Sequence, residues 1–432
     1  MESVVKEISK KEGFLKSLES EKATVASDLL SAQGHKELLN HNFPTTALED
    51  WKYTRTSRIN KLQFNIEEEV QPFQNQAIPD LDCVRLVFVN GVYDDKQSSK
   101  ITEQAGVVLS TLRQAVNAGQ PAVQSHLGSL SIGKSDFFNA INASYNQDGL
   151  FLHVSKNVKS DKPIEVVFVS AANQTISNPR NLILLEEGAE AHVILRIESQ
   201  DCDESLVNGV SECFVASNAS LQIDKLQLDS ERTFQIFTEE IAQEKDSRFA
   251  IRTFIHTADW VRNNLNIQLN GINAETSLSG AYILEGKQHV DNHTVVDHKV
   301  PHCVSRELYK GLIDDNSTAV FNGKVFVRED AQKTEAYQSN ANILLSDDAT
   351  INSKPELEIY ADDVKCSHGS TTGQFDGDAV FYLKSRGLDT RSAYKLLTTA
   401  FIGEVVQEVN SIPLKTYITR KMNLGAVYLD LE

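Results

Sequence analysis

The chain has 432 residues, of which 42 are Lys or Arg and 60 are Asp or Glu, for a formal net charge of −18. That balance argues against nucleic acid and anionic membrane surfaces as partners. A content of 41% hydrophobic and 24% charged residues is that of a soluble protein, with room for two or three compact units or one long solenoid.

The N-terminal MESVVKEISKKEGF lacks the apolar core of a signal peptide, and no run approaches a membrane span. Five scattered cysteines (Cys83, Cys202, Cys213, Cys303, Cys366), with no CxxC among them, point to reduced thiols, so a cytoplasmic location is expected. Residues 1–40 read as helix. Val4, Val5, Ile8, Leu15 and Leu18 recur near helical spacing, Leu29, Leu30, Leu38 and Leu39 suggest a second segment, and Pro44 ends the region. The aromatics of Trp51-Lys52-Tyr53-Thr54 are packing residues with polar tips. CVRLVFVNGVY (83–93) predicts a strand, an Asn90-Gly91 turn and the start of a second strand. Leu109 to Leu130 returns to helical spacing, and Phe137, Phe138 and Ile141 continue a short helix ending near Asp148-Gly149.

GSLSIGKS (128–135) satisfies the phosphate-loop pattern G-x-x-x-x-G-K-[ST]. That pattern would seat a nucleotide phosphate on backbone N–H groups, with Lys134 on the terminal phosphates. It requires a buried apolar strand before Gly128, whereas PAVQSHL is polar and more helical. No later strand ends on a magnesium-binding Asp either, so the match reads as coincidence and no nucleotide site is expected.

From about residue 150 the texture becomes β-rich: LFLHV (150–154), IEVVFV (164–169) and NLILLEEGAEAHVILRI (181–197). Turn signals then recur at Asn270-Gly271, Glu285-Gly286, Lys299 to Pro301, Asp314-Asp315, Glu329-Asp330 and Ser346 to Asp348. Between them lie LNIQL (265–269), CVSRELYKGLI (303–313) and AVFNGKVFV (319–327). A period of about 15 residues is a solenoid signal, each coil burying apolar residues against its neighbours. AVFYLKS (379–385) reads as a last extended segment. A helix follows, with Asp389 as N-cap, one apolar stripe from Ala393 to Val409, and Pro413 as its stop. That stripe would cap the open end of the solenoid, and Tyr394, Phe401, Ile402, Tyr417 and Ile418 exceed what one stripe can bury.

Two stretches carry candidate ligands. In HVDNHTVVDHKVPHC (289–303), His289 and His293 share one strand parity and His298 and His302 the other. An unbroken strand would split them between faces, which favours hydrogen-bonded structural histidines; a turn near 299–301 leaves a histidine-lined metal store as the other reading. In PELEIYADDVKCSHGSTTG (355–373), Leu357 to Val364 reads as a strand begun by Pro355. Cys366 and His368 follow at i and i+2, on one face of an extended segment. Thiolate and imidazole suit iron, zinc or an iron–sulfur cluster, yet such metals want about four ligands. The missing ligands would come from elsewhere in the chain or from another subunit. The other reading is a structural cysteine beside an ordinary histidine.

Residues 331–373 (AQKTEAYQSNANILLSDDATINSKPELEIYADDVKCSHGSTTG) together with FYLKSRGL (381–388) resemble the C-terminal signature of the SufB/SufD family. Gly369 follows the histidine where SufB-type members typically carry Glu, which is the SufD-type pattern, and FPTTALEDWKYT (43–54) is similar to the same branch. The resemblance thins before Phe43 and between about 200 and 250. It implies a mainly β fold, a right-handed parallel β-helix core flanked by N-terminal and C-terminal helical domains. The corresponding boundaries are 1–149, 150–385 and 386–432, the last for ATPase docking.

The family resemblance further implies a non-catalytic scaffold of the SUF iron–sulfur assembly system, with a SufB-like subunit and a SufC-like ABC ATPase as partners; whether the chain alone forms a homodimer is left open by its sequence. A transient Fe–S cluster or iron would sit at the SufB-like interface, with no cofactor tightly bound to the isolated chain. His368 matches the family's interface histidine and Cys366 matches the pattern beside it, while Lys365 and Asp363 tune charge nearby. The chain shows no G-x-S-x-G elbow, HExxH pair or strand-linked glycine-rich fingerprint, consistent with a protein that is not an enzyme. A β-helix interaction protein without cluster chemistry and a carbohydrate-active β-helix enzyme are the alternative readings.

Overall fold

The computed structural model describes residues 11–18, 26–67, 69–73, 76–101, 103–133, 136–200, 202–229 and 232–425. The predicted helical positions Val4, Val5 and Ile8, and Lys134 of the phosphate-loop pattern, lie outside the described residues. The N-terminal part contains helices α1 (residues 11–18) and α2 (Asp28–Leu38), then the hairpin β1 (Val84–Val89) and β2 (Val92–Tyr93). Strand β3 (Val107–Thr111) and the helices α3 (Leu112–Asn117), α4 (Pro121–His126) and α5 (Phe137–Ser144) follow. The hairpin turns on Asn90 and Gly91, both at positive φ (49° and 84°), as the Asn-Gly pair predicts. The helix expected from Leu109 to Leu130 is interrupted. Residues 107–111 pair as a strand, and Pro121, which cannot continue a helix, opens a new one at its first position.

Strands β4 (Leu150–Val154), β5 (Ile164–Ser170), β6 (Ile176–Ser177) and β7 (Arg180–Leu185) lead into a regular array. It runs through β8 (Glu190–Ser199), β9 (Ser205–Val215), β10 (Ser220–Asp229), β11 (Thr233–Gln243), β12 (Arg248–His256) and β13 (Trp260–Leu269). It continues through β14 (Glu275–Leu284), β15 (His289–His298), β16 (Val304–Ile313) and β17 (Thr318–Val327). The last members are β18 (Glu335–Leu344), β19 (Thr350–Ile359) and β20 (Lys365–Gly373). From β8 onward the even strands join one sheet and the odd strands the other, so each coil gives one strand to each face of a parallel β-solenoid. Ser220, Arg248, Glu275, Val304, Glu335 and Lys365 form one ladder column. The differences between these numbers, 27 to 31, are the coil length. The predicted period near 15 is therefore half a coil, and all six predicted turns fall between strands.

Alternate residues of every strand point into the lumen, where Val193, Leu195, Ile223, Ile251, Leu265, Ile267, Leu278 and Val296 are buried in one continuous apolar core. Over the earlier coils the outer faces are covered too, and β5, β7 and β11 are buried along their whole length; from β13 on, the outward residues are increasingly exposed. The N-terminal helices place Phe14, Leu18, Leu38, Phe43, Phe137 and Phe138 against Leu206, Phe234, Ile236 and Trp260 of the odd-numbered sheet. After β20 come α6 (Gly377–Ser385), α7 (Thr390–Gln407) and α8 (Ile412–Lys421).

Three expectations for this C-terminal part are corrected. AVFYLKS is helical, in α6, because Asp376 caps it by accepting from the Asp378 N–H and the β-ladder has ended. Pro413 does not stop α7; it sits in the first turn of α8, where its missing N–H is harmless. The stripe of α7 does not cap the open end. Ile402, Val405, Val406 and Val409, with Leu414 and Ile418 of α8, bury against Ile194, Leu226, Phe254 and Ala281 on the flank of the even-numbered sheet. Each of the Val, Leu, Ile and Phe side chains among them contributes about 1.5–3 kcal/mol of burial. Asp389 does cap α7, accepting from the Ser392 N–H.

Candidate functional site

With the C-terminal helices on the flank, the last coil is left open. β19 and β20 are the edge strands of the two sheets, and every residue of β20 except Cys366 is exposed. The strand predicted for 357–364 is in fact the end of β19 and the turn into β20. Pro355 lies within β19 and is tolerated because that strand is an edge.

Cys366, His368, Ser370 and Thr372 stand in register on Ala336, Gln338, Asn340 and Asn342 of β18, four buried lumenal positions. The two predicted ligands therefore share the lumenal face of the open coil, as their i, i+2 spacing requires. Below them the lumen changes from apolar to polar. Ser370 Oγ donates to Ser353 Oγ (2.8 Å), Ser353 Oγ to Asn340 Oδ1 (2.8 Å), Asn342 Nδ2 to Asn340 Oδ1 (2.7 Å) and the Tyr282 hydroxyl to Asn342 Oδ1 (2.5 Å). Beside this row, Gln338 Nε2 donates to Glu307 Oε2 (2.7 Å), and Thr294 Oγ1 donates to Glu307 Oε1 (2.6 Å).

These floor residues were not singled out from the sequence. The available signal was that the lumenal parity of 336–342 (Ala, Gln, Asn, Asn) drops the Val/Leu/Ile of earlier coils.

Burial pushes the Cys366 thiol up from its ordinary value, so the chain by itself presents a thiol and not a thiolate. Lys365 pairs with Glu335 (2.8 Å) and Asp363 with Lys333, so both charges are neutralised by neighbours. Among the described residues no group of three or more His, Cys, Asp or Glu side chains is placed to hold a metal ion.

The three histidines on β15 divide as their parity predicts, and each is occupied by an ordinary contact. His298 faces the lumen, bonded to Ser305 (2.9 Å) and held neutral by burial, with its pKa lowered to about 4. His289 and His293 face outward. His289 stacks on Trp260 and meets Thr54 Oγ1 (3.0 Å), while His293 lies 2.9 Å from Asp291. Burial opposes the ionisation of Asp291, but His293 and Arg262 (2.7 Å) outweigh it and hold that carboxyl well below the usual range. The Arg262 guanidinium lies 3.9 Å from the Trp51 ring centroid, so the segment 43–54 is clamped onto β13 and β15. His302 sits in the following turn at φ 64°.

The phosphate-loop stretch is occupied by the protein itself. The N–H groups of Gly128, Leu130 and Ser131 all donate to the buried Glu212 carboxylate, at 2.7, 2.9 and 3.1 Å. Arg180 pairs with the same carboxylate (2.7 Å), both side chains being fully buried. These three N–H groups, filled by an internal anion, are not offered to a phosphate.

Comparison with known proteins matches this architecture. A family model described as "SUF system FeS cluster assembly, SufBD core domain" matches residues 168–401, and one described as "SufBD protein N-terminal region" matches residues 16–166. The chain is 30% identical over 398 residues to the iron–sulfur cluster assembly protein SufD of Escherichia coli, covering 90% of this chain and 91% of that one. It is 31% identical over 392 residues to an iron–sulfur cluster assembly SufBD family protein of Synechocystis, covering 87% and 86%. It is 30% identical over 388 residues to protein ABCI7, chloroplastic, of Arabidopsis thaliana, covering 86% and 80%. With its solenoid, its open coil and these matches along nearly its whole length, the chain belongs to the SufBD family of SUF-system iron–sulfur cluster assembly proteins and is SufD-like within it.

Proposed function

We propose that the chain is the SufD-type scaffold subunit of a SUF assembly complex, non-catalytic itself, with the open coil as its working surface. The observation that carries this is the placement of Cys366 and His368 on the lumenal face of an uncovered last coil, two ligands where a cluster needs about four. A SufB-like subunit docked on the edges of β19 and β20 would supply the remainder, and the nascent cluster would form between the two chains. Exposed strand edges are natural docking surfaces, and for the chain alone the same edges suit a second copy. Within the shared site His368 is the principal ligand and Cys366 the accessory one, since burial keeps its thiol protonated until a metal displaces the proton.

The SufC-like ATPase would dock on the C-terminal helices, where α6 has no buried residue and Phe381, Tyr382 and Tyr394 are exposed. Among the described residues no helix is long and apolar enough to cross a membrane. A cytoplasmic setting accords with that and with five free cysteines.

The test is cluster assembly by the complex of this chain with SufB-like and SufC-like subunits, supplied with iron and sulfide. His368→Ala should fold like the parent, because the ring is exposed, and should fail to assemble clusters; Cys366→Ser should have an equal or milder defect. Undiminished assembly and delivery by the His368→Ala complex would refute the proposed role.

A further inference from the structure

Glu307 is a fully buried carboxyl group inside the lumen, and among the described residues no cation pairs with it. Its partners are the two donors Thr294 and Gln338. Gln338 reaches it because position 323 on the facing strand is glycine; a Cβ there would lie 2.2 Å from Gln338 Nε2. The other end of that amide, Oε1, is buried and has no hydrogen-bond partner among the described residues. One rung above, in register with Gln338, stands His368, whose ring is held by no hydrogen bond among the described residues. Adjacent rungs lie about 4.8 Å apart, within reach of two such side chains.

We infer that Glu307 and Gln338 form a proton-dependent support beneath His368, in which the proton on Glu307 sets which end of the Gln338 amide faces the imidazole. This rests on the role proposed above for His368, and concerns how that ring is positioned. When Glu307 is ionised, Gln338 Nε2 donates to it and Oε1 is free to accept the His368 N–H, leaving the other ring nitrogen for a metal. When Glu307 takes up a proton from solvent at the open end, its O–H donates to Gln338 Oε1. The amide is then turned over and presents N–H groups upward, which cannot support an imidazole N–H. A second-sphere acceptor of this kind orients a ligating histidine and raises its basicity.

Burial raises the Glu307 pKa to about 7, against smaller lowering contributions from Thr294 and Gln338, so both states are populated near neutrality. The other ionisable groups facing this stretch of lumen do not compete. Tyr309 beside it, and Tyr282, are raised by burial and remain neutral. His298, bonded to the neighbouring Ser305, is held neutral. The Lys225–Glu239 pair deeper in the lumen is closed on itself at 2.7 Å.

The test uses the full chain and two readouts, one of which is independent of cluster assembly. Infrared titration should show the carbonyl stretch of an undissociated carboxylic acid that disappears as pH rises through neutrality, and Glu307→Gln should lack it. Nitrogen-15 spectra of the Gln338 side-chain amide should show an inflection over the same pH range. Glu307→Gln, which mimics the protonated state by donating to Gln338 Oε1, should remove that inflection, and His368→Ala should alter the amide signal above neutrality, where Oε1 accepts from the ring. A carboxylic-acid band that does not titrate near neutrality, or a Gln338 amide signal that neither variant changes, overturns the inference. Failure of the proposed function reads differently: His368→Ala would then assemble clusters normally while the infrared and nitrogen signals behaved as described.

Discussion

The Glu212 carboxylate ties the N-terminal cover to the solenoid, and replacing it with alanine tests how much that tie contributes. Glu212→Ala leaves the Arg180 guanidinium buried with only Ser131 Oγ (2.6 Å) and Asn142 Oδ1 (3.0 Å) as partners. It also orphans the N–H groups of Gly128, Leu130 and Ser131. Removing one member of a buried ion pair costs about 3–5 kcal/mol. Each unsatisfied buried donor costs about 1–3 kcal/mol. The groups share one pocket that can relax, so the total falls below the simple sum, at about 4–6 kcal/mol. That is a large share of the roughly 5–15 kcal/mol stability of a folded protein. Glu212→Gln keeps one acceptor oxygen and should lie between. Urea unfolding gives the magnitude. Hydrogen exchange at residues 128–145 locates it, since the loss should appear first where the cover meets β9. A loss below about 1 kcal/mol in Glu212→Ala, with exchange at 128–131 unchanged, would refute the reasoning.

Calorimetry with Mg-ATP should show no binding to the isolated chain, since the N–H groups of Gly128, Leu130 and Ser131 are engaged by Glu212; saturable heat abolished by Lys134→Ala would overturn this. Phe381→Ala and Tyr394→Ala, at 72% and 43% exposed positions, should leave unfolding midpoints unchanged and weaken capture of a SufC-like ATPase; undiminished capture would move the docking surface elsewhere. Truncation after Ser385 is a poorer test, because removing α7 and α8 uncovers Ile194, Leu226, Phe254 and Ala281. Glu307 makes stability fall as pH rises, because its folded pKa lies above the unfolded value and the folded state holds the proton longer. A rise from 4.5 to about 7 is worth on the order of 3 kcal/mol, present below the unfolded pKa and lost as pH rises through 7. Denaturation at pH 5 and pH 8 should therefore differ less in Glu307→Gln than in the parent; an equal difference would show that Glu307 is already ionised in the fold.

What could be read from the sequence follows from which interactions are local. Turn residues recurring at half-coil intervals announced a solenoid, and the parity of His289, His293 and His298 correctly divided them between faces, because strand geometry is set by neighbours in the chain. Cys366 and His368 were recognisable for the same reason. The engagement of 128–131 by Glu212 was not, since the partner lies more than 80 residues away and nothing in GSLSIGKS itself marks an internal anion. The helix α6 was misread because AVFYLKS, with its apolar and aromatic residues, suits either state. What decided it was the end of the ladder at Gly373 and the Asp376 cap. The stripe of α7 was legible as a stripe, but its destination on the flank depended on the outer face of β10, β12 and β14.

The placement of chemistry at one end of the molecule has a physical reason. Within the solenoid each lumenal side chain is enclosed by the coils on either side, and a polar group there must find its partner in the protein, as Lys225 does in Glu239. The final coil has no successor, so there a lumenal side chain can meet something from outside. Polar residues in the rungs just beneath are tolerated because they complete one another: Tyr282, Asn342, Asn340, Ser353 and Ser370 form an unbroken hydrogen-bonded row from the interior to the rim. The Gln338 amide is satisfied at one end by Glu307, and its Oε1 is one of several buried atoms, Thr276 Oγ1 and Glu239 Oε2 among them, without a hydrogen-bond partner among the described residues. A buried acceptor left without a donor costs about 1–3 kcal/mol. What sets Gln338 Oε1 apart from the other such atoms is its register directly below His368, where a donor can arrive when the open coil is in use.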